Sequence, residues 1–448
     1  MAGGTTKGLA FAAIAVLLVV QFESFAPPML PSSSAISTMQ SINHDAQDAN
    51  SATTTTTTTM EPLPVVVFPF LVVDQNNATG SEMSQIILDG LAESPLLYMA
   101  ADTLDIMASA DSVVWLADTK SGHYKKWCQV LIKWVQRAKQ VRIDYKNSTS
   151  NVVGNVPTQW PLYILDYGDT PGQRTRCGGI EEELGSEQVH YIKRSIVAGR
   201  HFNGTRQWVD EGRVVTQHKN GATYRYASYA VRTDIVQALQ EALQQRNLAL
   251  HDAIETAVPR NLDLVHLWTK GNGKVVAFKS ALRTLVNGIV AQAGQKYNLT
   301  TFVGIRGRAK EAGRRRVESE YIDTLLDAKI LVVTQRDAWI DHYRLFEAMV
   351  GGCMVMTDAL LVKPPGIVNG THLVEFSSAA ELEGLALYYL QHDDERIAIA
   401  RQGRDMAMRQ HRTWHRVEEI IFGEARTNCS LPGSPRHCPY TVHAVGDE

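Results

Sequence analysis

The residues best suited to chemistry lie just after an apolar, strand-like run, in a stretch that is predicted to form a short helix. Asp341 is expected to cap this helix, which should end at the glycine pair Gly351 and Gly352. A helix start presents free backbone N–H groups and the positive end of the helix dipole, which suit a diphosphate. Arg344, in the first turn, adds a planar cation that can grip phosphate oxygens. The pattern therefore predicts an anion site at the start of this helix.

A carboxylate on the same helix extends the predicted site. Glu347 lies three residues after Arg344 and shares its face, where it could accept hydrogen bonds from two vicinal hydroxyl groups, as a ribose presents them. Arg336 and Asp337, in the preceding loop, could contact the same ligand. The spacing also fits a plain surface ion pair between Arg344 and Glu347, with the glycines as an ordinary helix end, and both interpretations stay open.

Three further residues are candidates for a general base that activates a hydroxyl group. Asp166 and Asp169 follow a predicted strand, Pro161–Leu165, at the position where α/β proteins usually place ligand-binding groups. His266 lies in a second predicted strand, Leu262–Trp268. Asp169 could equally be a turn residue, and His266 could be a packed strand residue.

The elements that must position these residues alternate between strands and helices, in two series along the chain. Short apolar runs read as buried strands, and longer segments with apolar residues at helical spacing read as helices. This alternation predicts an α/β fold with two domains of parallel sheet and a cleft between them. The predicted boundaries are 63–250 for the first domain, 251–425 for the second and 426–448 for a tail.

The N-terminus predicts attachment to a membrane. Gly8–Val20 is apolar and free of charge, and residues 1–26 are expected to form an uncleaved signal-anchor or transmembrane segment, with a cleaved signal peptide as the alternative. Residues 27–62 are rich in Ser and Thr, including the run Thr53–Thr59, and cannot bury enough apolar surface to fold, so they predict a flexible stem.

Glycosylation signals and charge agree with a lumenal protein. Six N-x-Ser/Thr sequons occur, at Asn77, Asn147, Asn203, Asn298, Asn369 and Asn428. We therefore expect a single-pass type II protein of the Golgi or endoplasmic reticulum membrane, with its folded part in the lumen. Cys429 and Cys438 could close a small disulfide loop there, or stay as two exposed thiols. A net charge of −3 gives little support to a nucleic-acid partner.

A resemblance to a known family sharpens the interpretation of the helix. The run Arg344-Leu-Phe-Glu-Ala-Met-Val-Gly-Gly-Cys-Met-Val-Met-Thr-Asp358 resembles the donor-site element of glycosyltransferases, most closely the C-terminal domain of glycosyl transferases group 1, including its spore-maturation-type members. Exostosin-type enzymes show a similar Arg-Leu-Phe-Glu-Ala run. The similarity covers about Phe302 to Ile421, and its last recognisable motif is the segment His411–Arg416.

This resemblance implies a GT-B architecture of two Rossmann-like domains that face a cleft, with the first domain for the acceptor and the second for a nucleotide-sugar donor. Glu347 would bind the nucleotide ribose, and Arg344 and the helix start would lie near the diphosphate. The predicted donor-binding residues are Arg336, Asp341, Arg344, Glu347, Gly351 and Gly352. The sequence departs from many group 1 enzymes at Trp339, where they carry a second glutamate, and this leaves open whether the reaction retains or inverts configuration.

The implied function is transfer of a sugar from a nucleotide-sugar donor to a glycan or glycoprotein acceptor in the secretory pathway. The alternative is a catalytically inactive lumenal protein of the same fold that binds glycans or acts as a scaffold. No cofactor and no essential metal is expected, because enzymes of this architecture commonly neutralise the leaving diphosphate with helix dipoles and basic side chains.

Overall fold

The structure is a computed structural model, and every residue that it describes belongs to a compact unit, Pro62–Glu448. The described residues are 65–70, 82–99, 113–118, 129, 131–133, 135–137, 139–140, 143–144, 161–166, 179–194, 196–198, 201–202, 208–210, 213–214, 224–253, 259–268, 280–304, 317–335 and 342–426.

Several predictions fall outside these residues and stay predictions. They are the anchor at 1–26, the stem at 27–62, nearly all of the tail, and the residues Asn77, Asn147, Asp169, Asn203, Arg336, Asp337, Trp339, Asp341, Asn428, Cys429 and Cys438.

The first half of the described chain forms a parallel sheet. Its strands are apolar runs such as Val65–Phe70, as expected for strands that are covered on both faces. Ten strands occur among the described residues up to 226: β1 (Val65–Phe70), β2 (Leu97–Met99), β3 (Val113–Asp118), β4 (Leu162–Asp166), β5 (Val189–Lys193), β6 (Val197–Ala198), β7 (His201–Phe202), β8 (Trp208–Asp210), β9 (Arg213–Val214) and β10 (Tyr224–Tyr226). Six of them pair in parallel in the order β10-β5-β4-β3-β1-β2, and β6–β9 and β7–β8 form two small antiparallel pairs.

The second half forms another parallel sheet, again with helices between its strands. Its order is β12-β11-β13-β14-β15. The bounds are β11 (Leu262–His266), β12 (Thr301–Val303), β13 (Ala328–Val333), β14 (Met354–Asp358) and β15 (Val374–Phe376).

Alternate residues of the central strands enter different cores. Ile330 and Val332 pack with the helix that precedes β12, whereas Leu331 and Val333 join the core on the opposite face. This alternation follows from the two-residue period of a strand. Both faces of the second sheet are therefore covered.

Helices alternate with the strands of both sheets, as the α/β pattern of the sequence predicts. They are α1 (Glu82–Glu93), α2 (Ile180–Leu184), α3 (Thr233–Gln244), α4 (Ala281–Tyr297), α5 (Ser319–Asp327), α6 (Arg344–Val350), α7 (Ala379–Gln391), α8 (Asp393–Gln410) and α9 (Thr413–Phe422). Single described residues between 129 and 144 are also helical. Helix α4 starts directly after Ser280, because the Ser280 hydroxyl accepts the Arg283 N–H at 3.3 Å and caps the helix there.

The last helix, α9, returns to the first sheet and packs against α1. The two helices approach closely at Gly90, where an added Cβ would lie 2.6 Å from the Thr413 carbonyl oxygen. Only glycine allows this distance. The tyrosine hydroxyl of Tyr163, on β4, donates to the Ile421 carbonyl at 2.8 Å and fixes the other end of α9.

The predicted fold class, α/β with parallel sheets, is therefore confirmed, while the boundaries 63–250 and 251–425 stay predictions. Among the described residues, no helix combines the length and the apolar character that a membrane crossing requires.

Candidate functional site

The carboxyl edge of the second sheet holds one of the predicted catalytic residues. His266 ends β11 and Thr334 directly follows β13, so both lie where the strand order reverses, which is the usual ligand-binding position in open α/β sheets. The His266 ring contacts Asn287 through Nδ1 (2.6 Å to Oδ1) and Thr334 through Nε2 (3.0 Å to Oγ1). Since the amide oxygen can only accept, Nδ1 carries the proton and Nε2 accepts from the Thr334 hydroxyl.

This environment keeps His266 neutral. Its pKa is lowered to about 3, mainly by burial and also by the positive charges of Arg283 and Arg344, against the opposing effect of the Asn287 hydrogen bond. Arg283 also stacks on Trp268 at 3.9 Å and donates to the Thr334 carbonyl at 3.0 Å. To act as a general base, His266 would first have to release Thr334. Its contacts are those of a packed strand residue, and its catalytic role stays a prediction.

The start of α6 differs from the predicted geometry. The helix begins at Arg344 and its N-cap is Tyr343, so the capping role predicted for Asp341 is wrong, while its predicted donor-binding role stays a prediction. The physical reason is His342, whose ring Nδ1 accepts the Arg344 N–H at 3.1 Å and whose carbonyl accepts the Leu345 N–H at 3.0 Å. These two amide groups already have acceptors. An anion could use them only after His342 moves.

Arg344 is buried, which rules out a surface ion pair with Glu347. Its side chain is 6% exposed, and its guanidinium lies 5.1 Å from the centre of the Tyr343 ring. Its charge lowers the pKa values of both His266 and Glu347, so its guanidinium lies near both side chains. Arg344 is therefore an interior cation beside the sheet edge.

Glu347 is the central acid of the site and has no solvent exposure. Its Oε2 accepts a hydrogen bond from the Tyr321 hydroxyl on α5, and its Oε1 lies 3.8 Å from a terminal nitrogen of Arg232. That distance is too long for a hydrogen bond, and Oε1 has no hydrogen-bond partner among the described residues. Burial raises the pKa of Glu347 to about 7, against the opposing effects of Arg232, Tyr321 and Arg344.

An aromatic cluster joins α6 to residues that follow the first sheet. The Tyr343 ring stacks on His342 at 4.6 Å and meets the edge of Tyr229 at 5.8 Å. The Arg194 guanidinium lies over the Tyr229 ring, 5.0 Å from the ring centre. The Tyr343 hydroxyl is buried without a hydrogen-bond partner among the described residues. Such a set of cations and polar groups suits an anionic ligand that also carries hydroxyl groups.

The glycine pair lies at the opposite end of α6, among structural contacts. A Cβ added to Gly352, whose φ is +76°, would lie 1.7 Å from the Ala253 carbonyl oxygen, so only glycine fits there. Arg260 donates to the Gly351 carbonyl at 2.8 Å, and Arg404 donates to the Val350 carbonyl at 3.1 Å. The two buried cations satisfy the helix end. The donor-binding role predicted for Gly351 and Gly352 stays a prediction.

The structure thus brings together Arg344, Glu347 and His266, whereas Asp166 is described only as the backbone end of β4. Sequence reasoning missed four members of the site: Arg232, Tyr321, His342 and Tyr343. Arg232 precedes a predicted helix, and no local pattern linked it to Glu347. Among the described residues, no group of three or more His, Cys, Asp or Glu could hold a metal ion.

Comparison with known proteins concerns the part of the chain that contains Arg344 and Glu347. Residues 281–421, less than half of the chain, match a family model described as glycosyl transferase-like. No curated protein sequence matches the chain. Similar solved structures include HepE from Anabaena in complex with UDP (TM-score 0.38, 11% identity, 80% of this chain and 99% of that chain) and a glycosyltransferase from Rickettsia africae (TM-score 0.39, 9% identity, 81% and 99%). An α1,3-fucosyltransferase is also similar (TM-score 0.36, 8% identity, 77% and 84%).

All three TM-scores are below 0.5. The matched segment includes α6, with Arg344 and Glu347, and the resemblance expected from the sequence is confirmed for this part of the chain. Residues 281–421 are therefore a glycosyl transferase-like domain, and the buried Arg344–Glu347 cluster lies within it.

Proposed function

We propose that the chain is a glycosyltransferase that moves a sugar from a nucleotide-sugar donor to a glycan or glycoprotein acceptor in the secretory pathway. The main support for this proposal is the burial and the hydrogen bonding of the Glu347 carboxylate. This buried carboxylate lies in the matched domain and has one oxygen without a hydrogen-bond partner among the described residues. A ribose hydroxyl would supply the missing hydrogen bond.

The surrounding charges support the same ligand. Arg344 on α6 and Arg232 before α3 both act on the Glu347 carboxyl electrostatically, and both are nearly fully buried. Buried cations attract phosphate more strongly than surface cations, because water screens them less. A nucleoside diphosphate combines vicinal hydroxyl groups and phosphate charge in one molecule, which fits an acid and two guanidinium groups in close proximity.

The burial of Glu347 also constrains how the donor enters. A side chain without solvent exposure can meet a ribose only if neighbouring groups move first. His342 and Tyr343 directly precede α6, and the Tyr343 carbonyl accepts the Glu347 N–H at 3.3 Å. We infer that donor binding includes a rearrangement of the segment around His342.

Nucleotide binding by the purified folded part of the chain tests the proposal. We expect UDP or GDP to bind in isothermal titration calorimetry, and Glu347→Ala to weaken this binding by about 1–3 kcal/mol, because it removes a charged hydrogen-bond acceptor. Arg344→Lys should also weaken it, since a point charge replaces a planar fork. UDP and UDP-glucose are suitable first probes, because each combines a ribose with a diphosphate.

The control is Glu320→Gln on α5, an exposed acid that should leave nucleotide affinity unchanged. A folded protein that binds no nucleotide would favour the alternative, an inactive glycan-binding or scaffold protein. Unchanged affinity in Glu347→Ala would show that the donor site is elsewhere.

A further inference from the structure

Arg232 follows the first sheet in the chain, yet its side chain lies close to Glu347, which belongs to the second half of the chain. It is the N-cap of α3, and its side chain is 3% exposed. Asp234 holds the guanidinium in place: Nε donates to Oδ1 at 3.0 Å, and a terminal nitrogen donates to Oδ2. The other terminal nitrogen faces Glu347 Oε1 at 3.8 Å. Arg232 is thus a fixed charge that approaches Glu347 without a hydrogen bond to it.

We propose that Arg232 is a positioning residue that keeps Glu347 in its ionised form, so that the carboxylate can accept hydrogen bonds from the donor's ribose. This inference rests on the donor-binding role proposed above for Glu347. It adds a residue outside the matched domain to the donor site and gives it a definite task.

The task follows from the chemistry of the carboxyl group. An ionised carboxylate accepts hydrogen bonds at both oxygens, whereas the protonated acid must donate from one of them. Tyr321 already donates to Oε2, which leaves Oε1 for the ligand. A proton on Oε1 would turn the only available acceptor into a donor and would remove its match to a ribose hydroxyl.

Glu347 needs a nearby cation, because its burial favours the protonated form. The pKa of Glu347 is raised to about 7, mainly by desolvation, and this value already includes the charge of Arg232, which is the largest influence in the opposite direction. Tyr321 from α5 and Arg344 from α6 also lower this pKa, and Asp234 raises it.

Other charged groups that pack on α6 act elsewhere. Arg404 on α8 reaches the Val350 carbonyl, His411 packs on Phe346, and Asp358 at the end of β14 accepts the Gln335 N–H. With Arg232 present, a pKa of about 7 leaves Glu347 about half ionised at pH 7, and without Arg232 the acid would be largely protonated at that pH.

The test is the pH dependence of UDP affinity in the folded chain, measured by calorimetry from about pH 6 to about pH 9. In the wild type, affinity should fall about tenfold for each pH unit below the pKa of Glu347. Arg232→Gln should move the pH at which the affinity begins to fall (the break) upward by about one unit or more, so that UDP binds at least about fivefold more weakly at pH 7 and recovers towards the wild-type affinity at pH 9. Arg232→Lys keeps the charge and should leave the break close to that of the wild type.

Glu347→Gln is the second variant and should remove the break that belongs to Glu347. The ionisation of UDP itself is common to all variants and cancels in the comparison. If Arg232→Gln weakens binding equally at every pH, or keeps the wild-type break, the proposal is wrong. Should Arg232→Gln fail to fold, a wild-type break that persists in Glu347→Gln would equally overturn it.

A second measurement does not depend on the donor. Infrared titration of the Glu347 carboxyl in the nucleotide-free protein, with Glu347→Gln as the reference, should show a higher midpoint in Arg232→Gln than in the wild type. If no variant binds UDP, the proposed donor site fails, and with it the positioning role. The infrared midpoint still shows separately whether Arg232 controls the ionisation of Glu347.

Discussion

The burial of the Glu347 carboxylate suits the proposed ligand but lowers the stability of the folded protein. Its pKa is raised from the ordinary value of 4.5 to about 7, mainly because burial removes water from the carboxylate. The folded protein therefore holds the proton more tightly than the unfolded chain does. Stability should fall as the pH rises from about 4.5 to about 7 and should stay lower above that range. Such a cost is common where a site needs a buried charge.

Glu347→Gln should therefore stabilise the protein at high pH. Glutamine can still accept the Tyr321 hydrogen bond but carries no charge, so we expect a gain of up to about 3 kcal/mol in the free energy of unfolding at pH 8, which follows from the pKa shift. The gain should disappear towards pH 4.5, where the wild-type acid is protonated. Denaturant unfolding at both pH values measures it, and Glu320→Gln is the exposed control. An equal effect at both pH values would contradict the assignment.

At the scale of elements, the contact between α1 and α9 depends on one small residue. Gly90 lies in α1 where a Cβ would approach Val417 Cγ2 to 2.5 Å and the Thr413 carbonyl oxygen to 2.6 Å. A backbone oxygen cannot move aside as a flexible side chain can. Glycine in a helix interior normally costs about 1 kcal/mol relative to alanine, so the close approach of the two helices must outweigh that preference.

Gly90→Ala should destabilise the protein by about 1–3 kcal/mol, since overpacking at a backbone contact outweighs the gain in helix propensity. The matched control is Gly384→Ala in α7, where a Cβ would meet nothing within 4 Å. That change should stabilise by about 0.5–1 kcal/mol. Chemical denaturation of both variants gives opposite signs if the α1–α9 contact is as described. A stabilised Gly90→Ala would show that the two helices lie farther apart.

For the molecule as a whole, α9 connects the end of the described chain to the elements of the first sheet. Ser94, after α1, donates to the Glu418 carboxylate at 2.7 Å, and Arg225 on β10 donates to the Glu419 carbonyl at 2.9 Å. The Val231 N–H donates to the His411 carbonyl at 2.7 Å just before α9 begins. Val231 directly precedes Arg232 in the chain. The contact before α9 and the predicted donor site therefore involve adjacent residues.

Compartment is also a property of the whole molecule, and two described sequons allow a test. Asn298, the left-handed cap of α4, and Asn369 are both exposed, as glycan attachment requires. Asn369 Oδ1 accepts the Glu375 N–H at 2.8 Å, which leaves the amide nitrogen for a glycan. In secretory cells the full chain should lose mass on peptide-N-glycosidase digestion, and Asn298→Gln should lower the initial mass by one glycan.

Asn247→Gln is the matched control, because Asn247 is exposed, has a similar left-handed backbone (φ of 57° against 51°) and lies outside any sequon. Its substitution should leave glycan mass unchanged. A wild-type chain that is unaffected by the glycosidase would contradict the lumenal location that the sequons and the apolar N-terminal segment predict.

The sequence alone determined the two parallel sheets, most of their strands and helices, and the pair Arg344 and Glu347 on one helix. These features follow from local rules: apolar runs define buried strands, and a spacing of three residues places two side chains on one helix face. The glycines after α6 were equally visible, since a chain reversal after a helix favours them.

Only the tertiary structure decided what surrounds Glu347. Arg232 and Tyr321 are distant from it in the chain, and their contacts depend on how the elements pack, which no local pattern encodes. Burial likewise separated the two open interpretations of Arg344 and Glu347, because the same spacing suits a solvated ion pair or an interior site. The difference is the removal of water, which raises the pKa of the acid and leaves one carboxylate oxygen for a ligand.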